Sequence, residues 1–206
     1  MGCFNSRKIN EKKKVIFVIG GPGCGKGSQC VKITEEFHYE HISTGEMLRE
    51  IVDKKENPKW KELQEKMEQG GFVSSEEVLG FLKEKLASMK NNKILLDGFP
   101  RNQENLEEWN KQMTDICDIQ AVIYFECSNE LMKKRISGRS KSTSEKRSDD
   151  NEETISKRIE FFEKDTVPLI KNYEDNGKLI KIDASKGIDE VFEEIKTNMI
   201  EKKLNE

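Results

Sequence analysis

The chain has 206 residues and a formal net charge of −3, and its composition is 34% hydrophobic and 36% charged. This length suits one α/β domain with a sizeable core and room for one or two small insertions. No apolar stretch approaches the length of a membrane-spanning helix, and no signal peptide is visible. The negative net charge argues against general binding of nucleic acid, so a polyanion would have to bind at a local cluster of positive charges.

The N-terminus matches an acylation pattern. Met1-Gly2-Cys3-Phe4-Asn5-Ser6 follows M-G-x-x-x-[ST], which predicts myristoylation of Gly2, and Cys3 would be a neighbouring palmitoylation site. Residues 7–14 add five basic side chains against one acid, and a basic patch or second acyl chain makes membrane binding stable. The alternative is a disordered, solubilising tail over residues 1–14.

Cysteine usage indicates a reducing compartment. The five cysteines are odd in number and contain no C-x-x-C pair: Cys3, Cys24, Cys30, Cys117 and Cys127. We therefore expect a cytoplasmic protein, membrane-associated where its N-terminus is acylated.

A phosphate-binding loop follows the first predicted strand, the apolar run 15–19. The loop reads Gly20-Gly21-Pro22-Gly23-Cys24-Gly25-Lys26-Gly27-Ser28. Glycines let successive N–H groups face a polyphosphate, the following helix N-terminus adds partial positive charge, and Lys26 supplies a full one. Gly27 stands where the strict motif has Ser or Thr, with the hydroxyl of Ser28 one residue later. The alternative is a glycine turn without a ligand.

The rest of the chain alternates between helices and strands. Further strands are predicted near 41–42 and over 94–97, 121–125 and 179–183. Helices are predicted over 28–37, from 43 or 44, over 59–69, from 74, from 129 to about 136, and over 188–202. Residues 151–173 are predicted to form one long helix or two helices, with a stop near Pro168. Residues 138–148 are polar and read as a mobile loop. This alternation predicts an α/β fold with a parallel sheet covered on both faces.

Acidic and basic side chains next to these elements suit phosphoryl transfer. Asp97 ends an apolar strand, where a carboxylate can orient Mg²⁺ through water or simply cap the next turn. Guanidinium groups bind phosphate well, and five arginines are candidates, although each is also compatible with a solvated surface: Arg49, Arg101, Arg139, Arg147 and Arg158. Asp149 and Asp150 are predicted to cap the next helix, to bond Arg139 or Arg147 and so help close the loop, or both.

Four segments together resemble the nucleoside monophosphate kinase family of the short-lid type. They are 20–27, His-Ile-Ser-Thr-Gly-Glu-Met-Leu-Arg (41–49), Asp-Gly-Phe-Pro-Arg (97–101) and Arg-Ser-Asp-Asp-Asn-Glu-Glu-Thr (147–154). The resemblance runs from about Lys14 to Lys202. It implies a P-loop kinase domain over 15–202, a monophosphate-binding insertion near 43–77, a lid near 138–149 and a tail at 203–206.

The resemblance also implies roles for individual residues. Those implied for catalysis are Lys26, Arg101, Arg139, Arg147 and Arg158. Those implied for ATP are Gly21, Pro22, Gly23, Cys24, Gly25, Lys26, Gly27, Ser28 and Arg139, and those for the monophosphate are Thr44, Arg49, Val73, Gly98, Arg101, Asn105, Arg147 and Arg158. Mg²⁺ would accompany ATP, held through water by Asp97 and by the Ser28 hydroxyl, and the enzyme is expected to be a monomer.

Two residues favour different bases for the acceptor. Within the family, Asn105 and its surroundings are similar to the UMP-CMP kinases of pyrimidine synthesis, whereas Thr44 is similar to the adenylate kinases. We expect UMP or CMP as acceptor, with AMP as the alternative. A membrane-tethered nucleotide-binding adaptor without turnover is an alternative of another class, motivated by the acylation pattern and by a lid two residues longer than the family pattern.

Overall fold

A computed structural model describes residues 11–54, 65, 73–140 and 151–205. Its five strands form one parallel sheet in the order β2-β3-β1-β4-β5. The strands are β1 (Lys13–Gly20), β2 (Glu40–Ser43), β3 (Lys93–Asp97), β4 (Cys117–Glu126) and β5 (Leu179–Asp183).

Helices connect and cover these strands. They are α1 (Lys26–Phe37), α2 (Thr44–Lys54), α3 (Ser75–Ser88), α4 (Gln103–Gln112), α5 (Asn129–Ser140), α6 (Glu152–Phe161), α7 (Val167–Asp175) and α8 (Ile188–Glu201). A π-helical turn, Phe162–Thr166, joins α6 to α7. The predicted α/β P-loop architecture is confirmed. None of the helices in the described ranges is long and apolar enough to cross a membrane.

The sheet is buried on both faces because its central strand is apolar at every position from Val15 to Ile19. Side chains of a strand alternate between faces. Val15, Phe17 and Ile19 accordingly belong to one hydrophobic cluster, and Ile16 and Val18 to another. The first cluster includes residues of α2, α3, α4 and α7, and the second includes residues of α1 and α8. This two-sided burial explains the continuous apolar run in the sequence.

Trp109 of α4 is the largest fully buried side chain and lies in the first cluster. Its ring centroid is 5.0 Å from that of Phe17 in an edge-to-face arrangement and 5.5 Å from that of Phe99. Its indole Nε1 has no hydrogen-bond partner among the described residues. The side chain therefore stabilises the fold through packing.

Several element boundaries differ from the predicted ones. Helix α5 continues to Ser140, four residues beyond the predicted end, so residues 138–140 are helical and the predicted loop begins no earlier than 141. Residues 151–173 form two helices, one of the two predicted alternatives, but the break is not at Pro168, because proline is tolerated in the first turn of a helix and lies there in α7. The break falls instead at the π-helical turn.

The cap predicted at Asp149-Asp150 is wrong. Asn151 caps α6, and its side chain accepts a hydrogen bond from the backbone N–H of Thr154 at 2.9 Å. Both aspartates lie outside the described residues, as does the predicted charged helix 59–69 apart from the helical Glu65. Near the predicted tail, Leu204 is buried and its carbonyl accepts a hydrogen bond from the Tyr39 hydroxyl at 2.7 Å.

Trp109→Ala is expected to lower the free energy of unfolding by about 3–5 kcal/mol, because it leaves a cavity between the sheet and α4. Trp109→Phe should cost clearly less, since it keeps an aromatic ring and removes an unpaired buried N–H. Urea unfolding measures both, with Ile116→Ala as an exposed control. Equal losses in the two Trp109 variants would contradict this account of the core.

Candidate active site

A cleft of about 800 Å³ opens along the carboxyl ends of β1 and β3. In parallel α/β sheets, ligands bind at this edge. The cleft is lined by most of the residues predicted from sequence: Pro22, Gly23, Cys24, Gly25, Lys26, Gly27, Ser28, Arg49, Val73, Asp97, Gly98, Arg101 and Arg158. The structure thus gathers segments that lie more than 130 residues apart in the chain.

The loop between β1 and α1 needs glycine at two positions. Gly23 and Gly25 have φ angles of +79° and +98°, a region that favours glycine. A Cβ on Gly23 would also lie 2.7 Å from Cγ1 of Ile136 in α5. The loop therefore packs directly against α5, and its conformation requires residues without a Cβ at positions 23 and 25.

Lys26, the first residue of α1, folds back over this loop. Its Nζ donates hydrogen bonds to the carbonyl oxygens of Gly20 at 2.8 Å and Gly21 at 3.0 Å, and lies 3.7 Å from Sγ of Cys24. The ammonium group is thus held beside the loop and at the wall of the cleft. An ammonium group at this place adds positive charge next to the backbone N–H groups of a glycine-rich loop.

Asp97 is the last residue of β3 and is 8% exposed. Burial alone would raise its pKa. The contact of Oδ2 with Nε2 of His41 at 3.7 Å and the positive charges of Lys26 and Arg101 outweigh burial and hold the pKa below its ordinary value. Asp97 is therefore a carboxylate at neutral pH.

The acidic group at the end of β3 suits a magnesium ion. Asp97 lines the cleft, and its Oδ1 has no hydrogen-bond partner in the described part of the chain. Ser28 lies exposed on the same cleft. Carboxylate and hydroxyl oxygens beside a phosphate-binding loop are the ligands that Mg²⁺ prefers, so the residues present fit this ion.

Behind Asp97, the ligand atoms of Cys30, His41 and Asp97 lie within 4.8 Å of one another. Cysteine binds metals as a thiolate. Burial, reinforced by the nearby Asp97 carboxylate, raises the pKa of the Cys30 thiol well above its ordinary value. The structure therefore favours a protonated thiol packed beneath Asp97.

Two arginines approach each other at the far side of the cleft. A Cβ built on Gly45 would lie 3.5 Å from Nη1 of Arg49 and 3.6 Å from Nη2 of Arg101. Arg101 also donates from Nε to the carbonyl oxygen of Gly98 at 2.9 Å. Glycine at position 45 leaves this space open to both guanidinium groups, an arrangement that suits a phosphate.

Thr44 supports the Arg101 side chain from below. Its Oγ1 is within donating distance of two backbone carbonyl oxygens, that of Asp97 at 3.1 Å and that of Gly98 at 3.0 Å. The same oxygen accepts from Nη2 of Arg101 at 3.5 Å. Thr44 is 2% exposed, so its hydroxyl forms hydrogen bonds with protein groups.

The backbone of Arg101 is held on both sides. Its N–H donates to Oδ1 of Asn105 at 3.0 Å, and its carbonyl oxygen accepts from Oγ1 of Thr166 at 2.6 Å. Thr166 is the last residue of the π-helical turn and is 5% exposed. Such turns are frequent at functional sites. This one places the Thr166 hydroxyl within hydrogen-bond distance of the backbone of Arg101, which lines the cleft.

A small recess of about 20 Å³ adjoins the cleft on the side of α2 and α4. It shares four lining residues with the cleft, namely Leu48, Val73, Gly98 and Arg101. Thr44 and Asn105 complete its polar lining. Thr44 and Asn105, whose identities favour different acceptor bases, therefore line the same recess.

The residues predicted in the lid, near it and at the N-terminus are only partly described. Arg158 of α6 lines the cleft, and Arg139 belongs to the last turn of α5. Arg147, Asp149 and Asp150 lie outside the described residues, as do Gly2 and Cys3. Gly21 is buried under the loop, where it contributes its carbonyl oxygen to Lys26.

Sequence reasoning missed Arg135 and Thr166. Nη1 of Arg135 donates to the carbonyl oxygens of Ala184 at 2.8 Å and Cys24 at 3.3 Å, and so ties the phosphate loop to the segment after β5. The spacing of Arg135 and Arg139, four apart on one helix, was an available signal. Nothing in the sequence distinguishes Thr166 from an ordinary helical threonine.

Comparison with known proteins assigns the chain to a family. Residues 18–178 match the family described as adenylate kinase. The chain is 46% identical to UMP-CMP kinase of Homo sapiens over 192 residues, which cover 89% of this chain and 95% of that protein. It is 40% identical to UMP-CMP kinase of Danio rerio over 196 residues, covering 93% and 98% of the two chains.

A relative with another name is nearly as similar. Adenylate kinase 1 of Schistosoma mansoni is 44% identical over 186 residues, covering 89% of this chain and 91% of that protein. Both names denote kinases that act on nucleoside monophosphates. Taken with the phosphate loop, the paired arginines and the buried carboxylate, these matches establish that the chain belongs to the adenylate kinase family of nucleoside monophosphate kinases.

Proposed function

We propose that this kinase transfers the terminal phosphoryl group of Mg²⁺-bound ATP to UMP or CMP, giving ADP and UDP or CDP. The observation that carries the proposal is that the phosphate loop and the guanidinium-bearing residues Arg49 and Arg101 line one and the same cleft. Two separate phosphate-binding groups on one cleft suit a reaction between two phosphorylated substrates.

The donor half of the site is the loop with Lys26. The β- and γ-phosphates would lie against the loop N–H groups and the α1 N-terminus, with Lys26 neutralising their charge. Asp97, through water, and Ser28 would hold Mg²⁺, which supplies further neutralisation of the phosphate charge. Because the pKa of Asp97 is lowered, this carboxylate is ready for that role at neutral pH.

The acceptor half is built around Arg49 and Arg101. These side chains would hold the monophosphate so that one of its oxygens attacks the γ-phosphorus as the bond to the ADP oxygen breaks. Arg158, with Arg139 and Arg147 from the predicted lid, would gather on the transferring group, and Arg139 would also lie near the ATP base. Closure of these cationic groups over the cleft would exclude water and prevent hydrolysis.

Asn105 supports a pyrimidine acceptor, because of the two contested residues it is the one that keeps both a donor and an acceptor. The Thr44 hydroxyl already bonds Asp97, Gly98 and Arg101. The Asn105 amide makes two hydrogen bonds within the described residues, to Arg101 and Ser75. A carboxamide can make four, so one N–H and one lone pair remain for a base. The short side chain of asparagine leaves room that a glutamine would fill.

AMP is the second candidate acceptor. The similarity to an adenylate kinase at 44% identity favours it, and an amide can pair with adenine as well as with a pyrimidine.

An ADP-release assay that offers UMP, CMP, dCMP and AMP in turn tests the proposal. We expect kcat/KM for UMP and CMP to exceed that for AMP by about tenfold or more, because Asn105 would distinguish bases by side-chain length and hydrogen bonding. A preference for AMP would identify an adenylate kinase instead. ADP release with none of the four would identify a nucleotide-binding adaptor without turnover.

Lys26→Met is expected to lower kcat/KM about a hundredfold or more, because it removes the charge held beside the phosphate loop. Lys32→Met is the matched control: it lies on the same helix, and its partner Asp189 is exposed. The control should retain activity, since a surface ion pair contributes little. Thermal unfolding checks that both variants fold. Near-normal turnover of a folded Lys26→Met enzyme would refute the proposed donor site.

We further propose that the N-terminus tethers the enzyme to a membrane through acyl groups on Gly2 and Cys3. Intact-mass analysis of protein from the native source should show an acyl addition at Gly2 after removal of Met1. Gly2→Ala should abolish it and release the enzyme from the membrane fraction, while Cys3→Ser should leave weak, reversible binding. An unmodified N-terminus would contradict this tether.

A further inference from the structure

Two adjacent serines at the start of α3 have different surroundings. Ser74 is exposed and caps the helix, where its Oγ accepts from the Glu77 N–H at 3.3 Å and donates to Glu77 Oε2 at 2.7 Å. Ser75 is 1% exposed, and its Oγ accepts a hydrogen bond from Nδ2 of Asn105 at 2.8 Å. The second serine therefore reaches across to α4 and takes no part in capping.

The orientation of the Asn105 amide follows from its other contact. The backbone N–H of Arg101 lies 3.0 Å from one end of that amide, and a backbone N–H can only donate. That end must be the oxygen, so the nitrogen faces Ser75. The reverse orientation would place two donors against each other in a buried site. Asn105 itself is 5% exposed.

These two contacts leave a defined hydrogen-bonding pattern on Asn105. Arg101 occupies one lone pair of Oδ1 and Ser75 occupies one N–H of Nδ2. One donor and one acceptor therefore remain on a residue that lines the recess. Uracil presents N3–H beside O4, and cytosine presents an amino group beside N3. Each is a donor next to an acceptor and complements the amide.

We propose that Ser75 is a positioning residue that fixes the base-reading amide of Asn105, an inference that rests on the proposed function. Without its hydroxyl, Nδ2 would keep two unsatisfied N–H groups in a buried position, and the amide would turn to satisfy them. Because the same amide holds the backbone of Arg101, its movement would disturb the acceptor half of the site. The phosphate loop contacts neither residue in the hydrogen bonds described.

Ser75→Ala tests this role through steady-state kinetics. We expect KM for UMP and CMP to rise about fivefold, the effect of losing one buried neutral hydrogen bond, while KM for ATP stays within about twofold. Ser74→Ala is the matched control. It should lower the melting temperature, because it removes the cap of α3, and leave every KM unchanged.

A double-mutant cycle separates positioning from general destabilisation. In an Asn105→Ala background, Ser75→Ala should have no further effect on KM for UMP or CMP, since the amide it positions is gone. The inference is overturned if Ser75→Ala leaves KM for UMP and CMP unchanged, if it raises KM for ATP equally, or if the two substitutions act additively.

Failure of this inference is distinct from failure of the proposed function. The proposed function fails when the wild-type enzyme does not prefer UMP or CMP. The role of Ser75 fails when the wild-type enzyme does prefer them and Ser75→Ala keeps the wild-type KM values.

Discussion

The parallel pairing of β1 with β3 is the constraint on which the whole site depends. In this register Val18 lies opposite Asp97, and the N–H of Gly98 donates to the carbonyl oxygen of Val18 at 3.1 Å. Parallel strands end at the same edge of a sheet. The loop after β1, which carries Lys26, and the loop after β3, which carries Arg101, are therefore brought to one cleft. A one-residue slip would turn Asp97 to the opposite face.

Around Arg101 the protein uses buried hydrogen bonds to present a charged side chain. Asn105 and Thr166 hold its backbone, while Gly98 and Thr44 hold its guanidinium group. These four partners are neutral polar groups, and their hydrogen bonds fix where the side chain lies in the cleft. The arrangement also joins α2, α4 and the π-helical turn, so that three separate segments determine the position of one arginine.

The charge distribution explains how an acidic protein can bind polyanions. The net charge is −3, yet Lys26, Arg49, Arg101 and Arg158 all line the same cleft. A concave, partly desolvated site focuses the field of such groups, so local charge outweighs the net charge. Burial would raise the pKa of Asp97, but the contact with His41 and the charges of Lys26 and Arg101 outweigh it, so the carboxylate keeps its charge.

The sequence by itself determined the α/β class, the phosphate loop and the family, because these depend on local patterns. An apolar run followed by closely spaced glycines can be recognised without knowledge of its partners, as can Asp97-Gly98-Phe99-Pro100-Arg101. The sequence predicted helix ends less well. Helix α5 extends to Ser140, and Asn151, not Asp149 or Asp150, caps α6. Helix ends depend on which side chain reaches the free N–H groups, and neighbouring polar residues compete for that place.

Only the tertiary structure decided which groups around the acceptor site have hydrogen-bonding capacity to spare. Thr44 and Asn105 are equally polar in the sequence, but Thr44 bonds to the protein interior while Asn105 keeps a donor and an acceptor. Ser75 and Thr166 gave no local signal of a role, because their partners lie 30 and 65 residues away. Such contacts arise from the packing of distant segments, and for that reason no pattern along the chain encodes them.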